Sequence, residues 1–196
     1  EKYNLPYPKT RTITRETIIK NESVELFDFP MVLKSVNSVS WNEFHSDIKE
    51  KVYMVETEAD FYRIIKRIYA DGYEDNMIIQ EFVQGNESPM RVLNAYVDKN
   101  HQVKMMFLGN AVLEDPTPSG IGNYLGIIPD YNEEIFEQVK FFLEDIKYTG
   151  YANFDLKYDI KDNKYKFFEI NLRQGRSSFF LTLNGVNLAE WLVRDY

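Results

Sequence analysis

Two hydrophobic rhythms alternate along the chain and mark out its elements. Residues 58–72, EADFYRIIKRIYADG, place Phe61, Ile64, Ile65, Ile68 and Tyr69 at helical spacing and stop at Gly72, which predicts an amphipathic helix with a glycine at its end. Residues 132–150, NEEIFEQVKFFLEDIKYTG, predict a second helix with acids in its first turn, closing at Gly150. Residues 15–29 have mixed periodicity and read as a short helix, and 186–196 as a final one. Strand patterns cover 29–36, 51–57 and 77–83, then two strands within 90–115 joined at DKNH, then two more around KDNK at 161–164. The Ser/Asn-rich segment 35–44 and the Gly/Pro/Ser-rich segment 116–126 read as loops, and Pro6 and Pro8 mark an extended start. Strands and helices mix without strict βαβ alternation, so the expected class is α+β. A soft boundary near Gly85 divides the chain into 1–85 and 86–196.

Composition narrows what such a chain can do. Of 196 residues, 44% are hydrophobic, enough to bury a substantial core. The net charge of −8 argues against nucleic acid or an anionic membrane as partner, while leaving room for a local basic pocket. There is no cysteine, hence no disulfide and no thiolate metal site. No apolar run approaches the roughly 20 residues of a spanning helix, and no signal peptide is visible. These features fit a cytoplasmic protein. The chain opens on EKYNLPYPKT and reads as the continuation of something upstream. The oligomeric state stays open.

Candidate chemistry sits first on the last strand pair. A tight turn at Asp162 and Asn163 makes facing residues sum to about 325, which sets Asp155 opposite the stretch from Glu169 to Asn171. By alternation Ala152, Phe154, Leu156, Tyr158 and Ile160 share an apolar face, continued by Phe168, Ile170 and Leu172. The other face carries Asn153, Asp155, Lys157 and Asp159, then Glu169, Asn171 and Arg173. Asp155, Glu169 and Asn171 can therefore converge as oxygen ligands, a set suited to Mg²⁺ with water and phosphate completing its shell. The same pattern also fits the solvated face of a surface hairpin.

Two further stretches stand out. Lys34 lies within an apolar strand, where a lysine needs a partner. Nucleotide phosphates would be one, with backbone N–H groups and hydroxyls of the SVNSVS segment beside it; snorkelling from a strand end is the alternative. IIQEFVQGNE at 78–87 ends a strand at Gly85 and presents Glu87 two residues on, a place where backbone could meet a purine edge and an acid could meet ribose, or an ordinary strand and turn.

In this order, a strand lysine, QEFVQG with a following Glu, and Asp…Glu-x-Asn on a terminal hairpin resemble the ATP-grasp superfamily over most of the chain. LKSVNSVSW, GNY and FFEINLRQGRSSF are similar to ATP-grasp carboxylate–amine ligases of the D-aspartate-ligase type. The resemblance implies ATP gripped between two α+β lobes with mainly antiparallel sheets. Lys34 would bind α- and β-phosphate oxygens, Gln80 would face the adenine amino group, Glu81 and Val83 would offer main-chain groups to the purine, and Glu87 would bind ribose. Asp155, Glu169 and Asn171 would hold Mg²⁺, two ions with Glu169 bridging them. Arg173 and Arg176 would bind the substrate carboxylate or the acyl phosphate, with Arg91 a further candidate that also fits a surface ion pair. Many relatives have a glycine-rich loop where this chain has SVNSVS, and Pro in place of Ser35.

The implied reaction starts with a carboxylate and ATP, passes through an acyl phosphate, and ends in an amide-type bond to an amine such as D-aspartate. The loop 115–124 would close over the γ-phosphate, or is a plain connection; Ser177 and Ser178 would donate near the arginines. Two other functions stay open: a catalytically incomplete Mg-ATP-binding module of a larger protein, lacking an N-terminal domain, and an α+β scaffold with accidental motif matches.

Overall fold

A computed structural model describes residues 2–85, 90–117, 123–176 and 178–196. The chain forms two units, Pro8–Phe82 and a larger one that joins Glu1–Tyr7 to Val83–Tyr196. Among the described residues no helix is long and apolar enough to cross a membrane.

The unit of 8–82 runs β1 (Thr10–Ile13), α1 (Arg15–Ile19), β2 (Met31–Ser35), α2 (Ser38–Glu43), β3 (Tyr53–Val55), α3 (Glu58–Ala70) and β4 (Met77–Glu81). Its sheet is antiparallel in the order β1-β4-β2-β3. Met31, Leu33, Met77 and Ile79 turn one face into a core with Phe61, Ile65 and Ile68 of α3, as the helical spacing predicts. Alternation then puts Thr10, Val32, Lys34 and Gln80 on the opposite face.

Two elements here differ from expectation. β1 is a four-residue edge strand, too short for its alternation to register. The expected loop 35–44 contains α2. Asn37 caps that helix by accepting from the N–H groups of Val39 and Ser40, and Trp41 pins it to the core through burial and an indole hydrogen bond to the Glu50 carbonyl. One buried anchor in six residues leaves no periodicity to read.

The larger unit contains β5 (Arg91–Val97), β6 (Val103–Glu114), β7 (Tyr124–Asp130), α4 (Glu133–Asp145), β8 (Gly150–Asp159), β9 (Lys164–Asn171), α5 (Phe179–Leu183) and α6 (Leu188–Asp195). Its five strands are antiparallel in the order β7-β6-β5-β8-β9. Helix α4 covers one face, its Ile135, Val139 and Leu143 meeting Leu93, Leu108, Phe154 and Leu156. Helices α5 and α6 cover part of the other, with Phe180, Leu181 and Leu188 against Val92, Tyr96 and Met105. β7 falls partly inside the expected loop 116–126. It is an edge strand, a position where Pro129 is tolerated in a ladder. α4 ends five residues before Gly150, with Lys147 in the left-handed region at φ 55°, and Gly150 itself opens β8.

The last strand pair carries the correction that matters most. A β-bulge interrupts the register between Asp155 and Leu156. On the turn side the pairs are Leu156↔Phe167, Lys157↔Lys166 and Asp159↔Lys164; on the far side they are Asp155↔Glu169, Phe154↔Ile170 and Asn153↔Asn171. The extra residue is Phe168. Phe167, not Phe168, therefore enters the core, while Ile170 and Leu172 are exposed. Simple alternation counted through the bulge and put Phe168 where Phe167 belongs, whereas Ile170 keeps the face of Phe154 as expected.

Toward the turn, Lys166 is buried and pairs with Asp159 at 2.6 Å, with Asp162 at 3.3 Å. Burial pushes the Asp159 carboxyl up, but hydrogen bonds from the Lys166 ammonium and the Lys161 N–H outweigh it and hold the carboxyl below its ordinary value. A carboxyl lowered by folding stabilises above its unfolded pKa, about 3.9, and loses that contribution as pH falls through the folded value. Asp159→Ala is expected to cost about 3 kcal/mol at pH 7 by leaving a buried ammonium short of its partner. Urea unfolding should show that penalty shrinking below about pH 4.

Candidate active site

The α5/α6 face of the five-stranded sheet carries the polar residues Asn94, Asn153, Asp155, Glu169 and Asn171. The β8–β9 register sets the carboxylates of Asp155 and Glu169 directly across from each other, with Asn153 and Asn171 as the next pair on that face. Cross-strand neighbours on one face have Cβ atoms about 4.5–5.5 Å apart, and like charges so placed repel. Among the described residues no three of His, Cys, Asp and Glu form a metal-binding group. The hairpin instead offers two carboxylates and one amide oxygen. Mg²⁺ commonly takes one or two carboxylates and fills its shell with water and phosphate, so the donor set fits it.

The surroundings reinforce the charge at this spot. Tyr124 packs nearby in the α5/α6 core. Its phenol is pushed above its ordinary range by burial and then by the charges of Asp155, Glu114 and Glu169, so it remains a neutral donor. Arg173 reaches back, donating to Asn171 Oδ1 at 3.2 Å and to the Gln174 carbonyl at 3.0 Å. Arg176 borders a cavity of 310 Å³ with Gln174, Gly175, Ser178, Thr182 and Asn187. It also lies close enough to Asp115 to help lower that carboxyl, which is held down first by Thr117 hydrogen bonds. Ser178 accepts from Gln174 Nε2 at 2.8 Å.

Gly175 has a steric reason to be glycine. It is buried, and a Cβ there would stand 2.8 Å from Cγ and Nδ2 of Asn153 and 3.1 Å from Asn94 Oδ1. The loop that carries both arginines is thus pressed against the amides of β5 and β8.

In the unit of 8–82, Lys34 Nζ donates to Gln80 Oε1 at 3.2 Å, and Gln80 Nε2 donates to Thr10 Oγ1 at 2.9 Å. Gln80 is buried and ties three strands together on the open face. Thr10 has a role that no sequence signal announced, because it depends on the pairing of β1 with β4. The Glu81 N–H is taken by the Lys9 carbonyl at 2.9 Å. In SVNSVS, the N–H groups of Val39 and Ser40 are taken by the Asn37 cap.

In the larger unit, the Val83 carbonyl accepts from Lys157 Nζ at 3.2 Å. Burial lowers the Lys157 ammonium, and the charges of Asp159 and Glu114 act against that shift. Arg91 lies on the α4 face, away from Asp155, where it pairs with Asp130 and donates to Asn110 Oδ1 at 2.8 Å. Glu87, Ser177 and the centre of the 115–124 loop lie outside the described residues.

Over 198 aligned positions that take in the whole chain, the sequence is 55% identical to D-aspartate ligase from Enterococcus faecium (strain Aus0004), and it spans 47% of that protein. No family model matches the chain. Among solved structures it resembles the biotin carboxylase domain of 2-oxoglutarate carboxylase from Hydrogenobacter thermophilus, in complex with MgADP and bicarbonate. There the TM-score is 0.70 at 14% identity, over 99% of this chain and 42% of that one. D-alanine–D-alanine ligase from Helicobacter pylori matches with a TM-score of 0.62 at 15% identity, over 100% of this chain and 57% of that one.

The chain has the ATP-grasp fold. Its ATP-grasp carboxylate–amine ligase resemblance, of the D-aspartate-ligase type, stands on the whole-chain identity. In this ATP-grasp chain Gly175→Ala is expected to destabilise by about 1–3 kcal/mol through overpacking against buried Asn153, measured by denaturant unfolding; a neutral effect would show that the loop does not rest on the amides.

Proposed function

We propose that the chain is the ATP-binding part of an ATP-dependent carboxylate–amine ligase with D-aspartate as the amine. The observation that carries this is the Asp155↔Glu169 register with Asn171 beside it, read together with the identity to D-aspartate ligase. Asp155, Glu169 and Asn171 would hold Mg²⁺, with Glu169 shared between two ions. The metal would supply charge neutralisation where an anionic carboxylate approaches an anionic phosphate.

This chain's own residues do the rest. Lys34, held by Gln80, offers its ammonium to the α- and β-phosphates. Gln80 and the main chain at Glu81 and Val83 meet the adenine, and Glu87 the ribose. Arg173 and Arg176 bind carboxylate or acyl phosphate, a task that suits the planar guanidinium. The 310 Å³ cavity beside Arg176 supports this role, since its lining is mostly polar and one side is the guanidinium. Reaction would follow from positioning and electrostatics, with no covalent link to the protein.

A second reading follows from length. The chain spans 47% of the ligase it matches, and the alternative is a Mg-ATP-binding module of a larger protein without turnover of its own.

Three variants test the assignment by calorimetry with ATP. Asp155→Ala and Glu169→Ala are each expected to abolish the Mg²⁺-dependent part of binding. Lys34→Ala should weaken ATP about 10- to 100-fold, the value of a charge-assisted hydrogen bond. Mg²⁺-dependent binding that survives loss of either carboxylate contradicts the metal assignment. ADP release by the longer protein that rises with D-aspartate supports the ligase; release indifferent to every amino acid supports the module.

A further inference from the structure

Three asparagines stand in one row across three strands, Asn94 on β5, Asn153 on β8 and Asn171 on β9, paired in register Asn94↔Asn153↔Asn171. Asn94 and Asn153 are 3% and 5% exposed, so their amides must find partners inside the protein. They find each other. Asn171 Nδ2 donates to Asn153 Oδ1 at 3.3 Å, and Asn153 Nδ2 donates to Asn94 Oδ1 at 3.4 Å and to the Leu93 carbonyl at 3.5 Å.

We infer that this row acts as a polarity relay, in which Asn153 is a positioning residue that forces Asn171 to present its oxygen, not its NH₂, to the metal ion. The inference rests on the Mg²⁺ assignment proposed above. An asparagine has a donor end and an acceptor end of nearly equal size, and only the acceptor can ligate a cation. Something must decide which end faces out. The Leu93 carbonyl can only accept, so the NH₂ of Asn153 must face β5. Its Oδ1 must then face β9, where it can only accept. Asn171 answers with its own NH₂, which leaves Asn171 Oδ1 turned outward, where Arg173 already donates to it at 3.2 Å. A cationic group on that oxygen is the arrangement a metal ion would need.

Two features of the row support a selected arrangement. Among the described residues Asn94 Nδ2, which is buried, finds no hydrogen-bond partner. That unmet donor costs stability, and reversing the row would relieve it by letting Asn94 donate to Asn153; reversal would also turn the NH₂ of Asn171 toward the cation. The row keeps the costly direction. Gly175 closes over Asn153 and Asn94, where any side chain would collide with the linked amides.

The test compares Asn153→Leu in two backgrounds, reading Mn²⁺ affinity by electron paramagnetic resonance with saturating ADP and this chain. With Asn171 present, the loss of orientation is expected to weaken Mn²⁺ about 10-fold or more, the usual consequence of removing a metal ligand's supporting partner. In Asn171→Asp both side-chain oxygens are equivalent and no orientation is needed, so Asn153→Leu should there change Mn²⁺ affinity less than about 3-fold. Asn153→Ala takes its place if the leucine variant does not fold. Equal weakening in both backgrounds would show a merely structural role and overturn the relay, as would no weakening with Asn171 present. A wild-type chain that binds no Mn²⁺ would remove the metal assignment itself, and the relay with it.

Discussion

Two acidic residues are held opposite each other across an antiparallel strand pair, a placement in which like charges repel. Their side chains do not set the Asp155↔Glu169 register. The hold comes from elsewhere on the same strands. Phe154, Leu156 and Phe167 lie under α4, and a slip of one residue would turn this set to the wrong face. Lys166 and Asp159 lock the turn end with a buried ion pair. Packing on one face therefore sets two like charges opposite each other on the other, and the proposed divalent cation would favour that arrangement.

The bulge is part of the same design. It lets Phe167 enter the core while Glu169 stays opposite Asp155, two requirements that unbroken alternation cannot meet together. Its extra residue was invisible in the sequence, because Phe167 and Phe168 are the same residue type and parity alone cannot say which one is skipped. The acids were legible nonetheless, since Glu169 lies on the far side of the bulge with Asn171 and keeps step with it. The long helices were legible for the opposite reason: α3 carries five buried apolar residues along one stripe, whereas α2 has the single anchor Trp41. β7 hid behind Gly126 and Pro129, which read as loop unless the strand is known to be an edge.

Residues whose meaning depends on pairing between distant strands could not be found from one segment. Asn153 is visible on the polar face of β8, but its importance comes from Asn94, 59 positions away on β5. Thr10 matters because β1 pairs with β4 and so meets Gln80. Arg91 went the other way. Its type suggested an anion site, and the register of β5 with β8 turned it to the α4 face and into an ion pair with Asp130. In a chain with a net charge of −8, Lys34, Arg173 and Arg176 are the cations that the proposed function assigns to anions.

The central claim is that Asp155 and Glu169 repel in the metal-free protein and are reconciled by a divalent cation. Thermal unfolding of Glu169→Gln in a chelator, and again with Mg²⁺ and ADP, tests it directly. The account predicts that the variant melts above wild type in the chelator, because one charge of the facing pair is gone, and that wild type overtakes it when Mg²⁺ and ADP are added. A variant that melts at or below wild type in the chelator, or a wild type indifferent to Mg²⁺ and ADP, would contradict it.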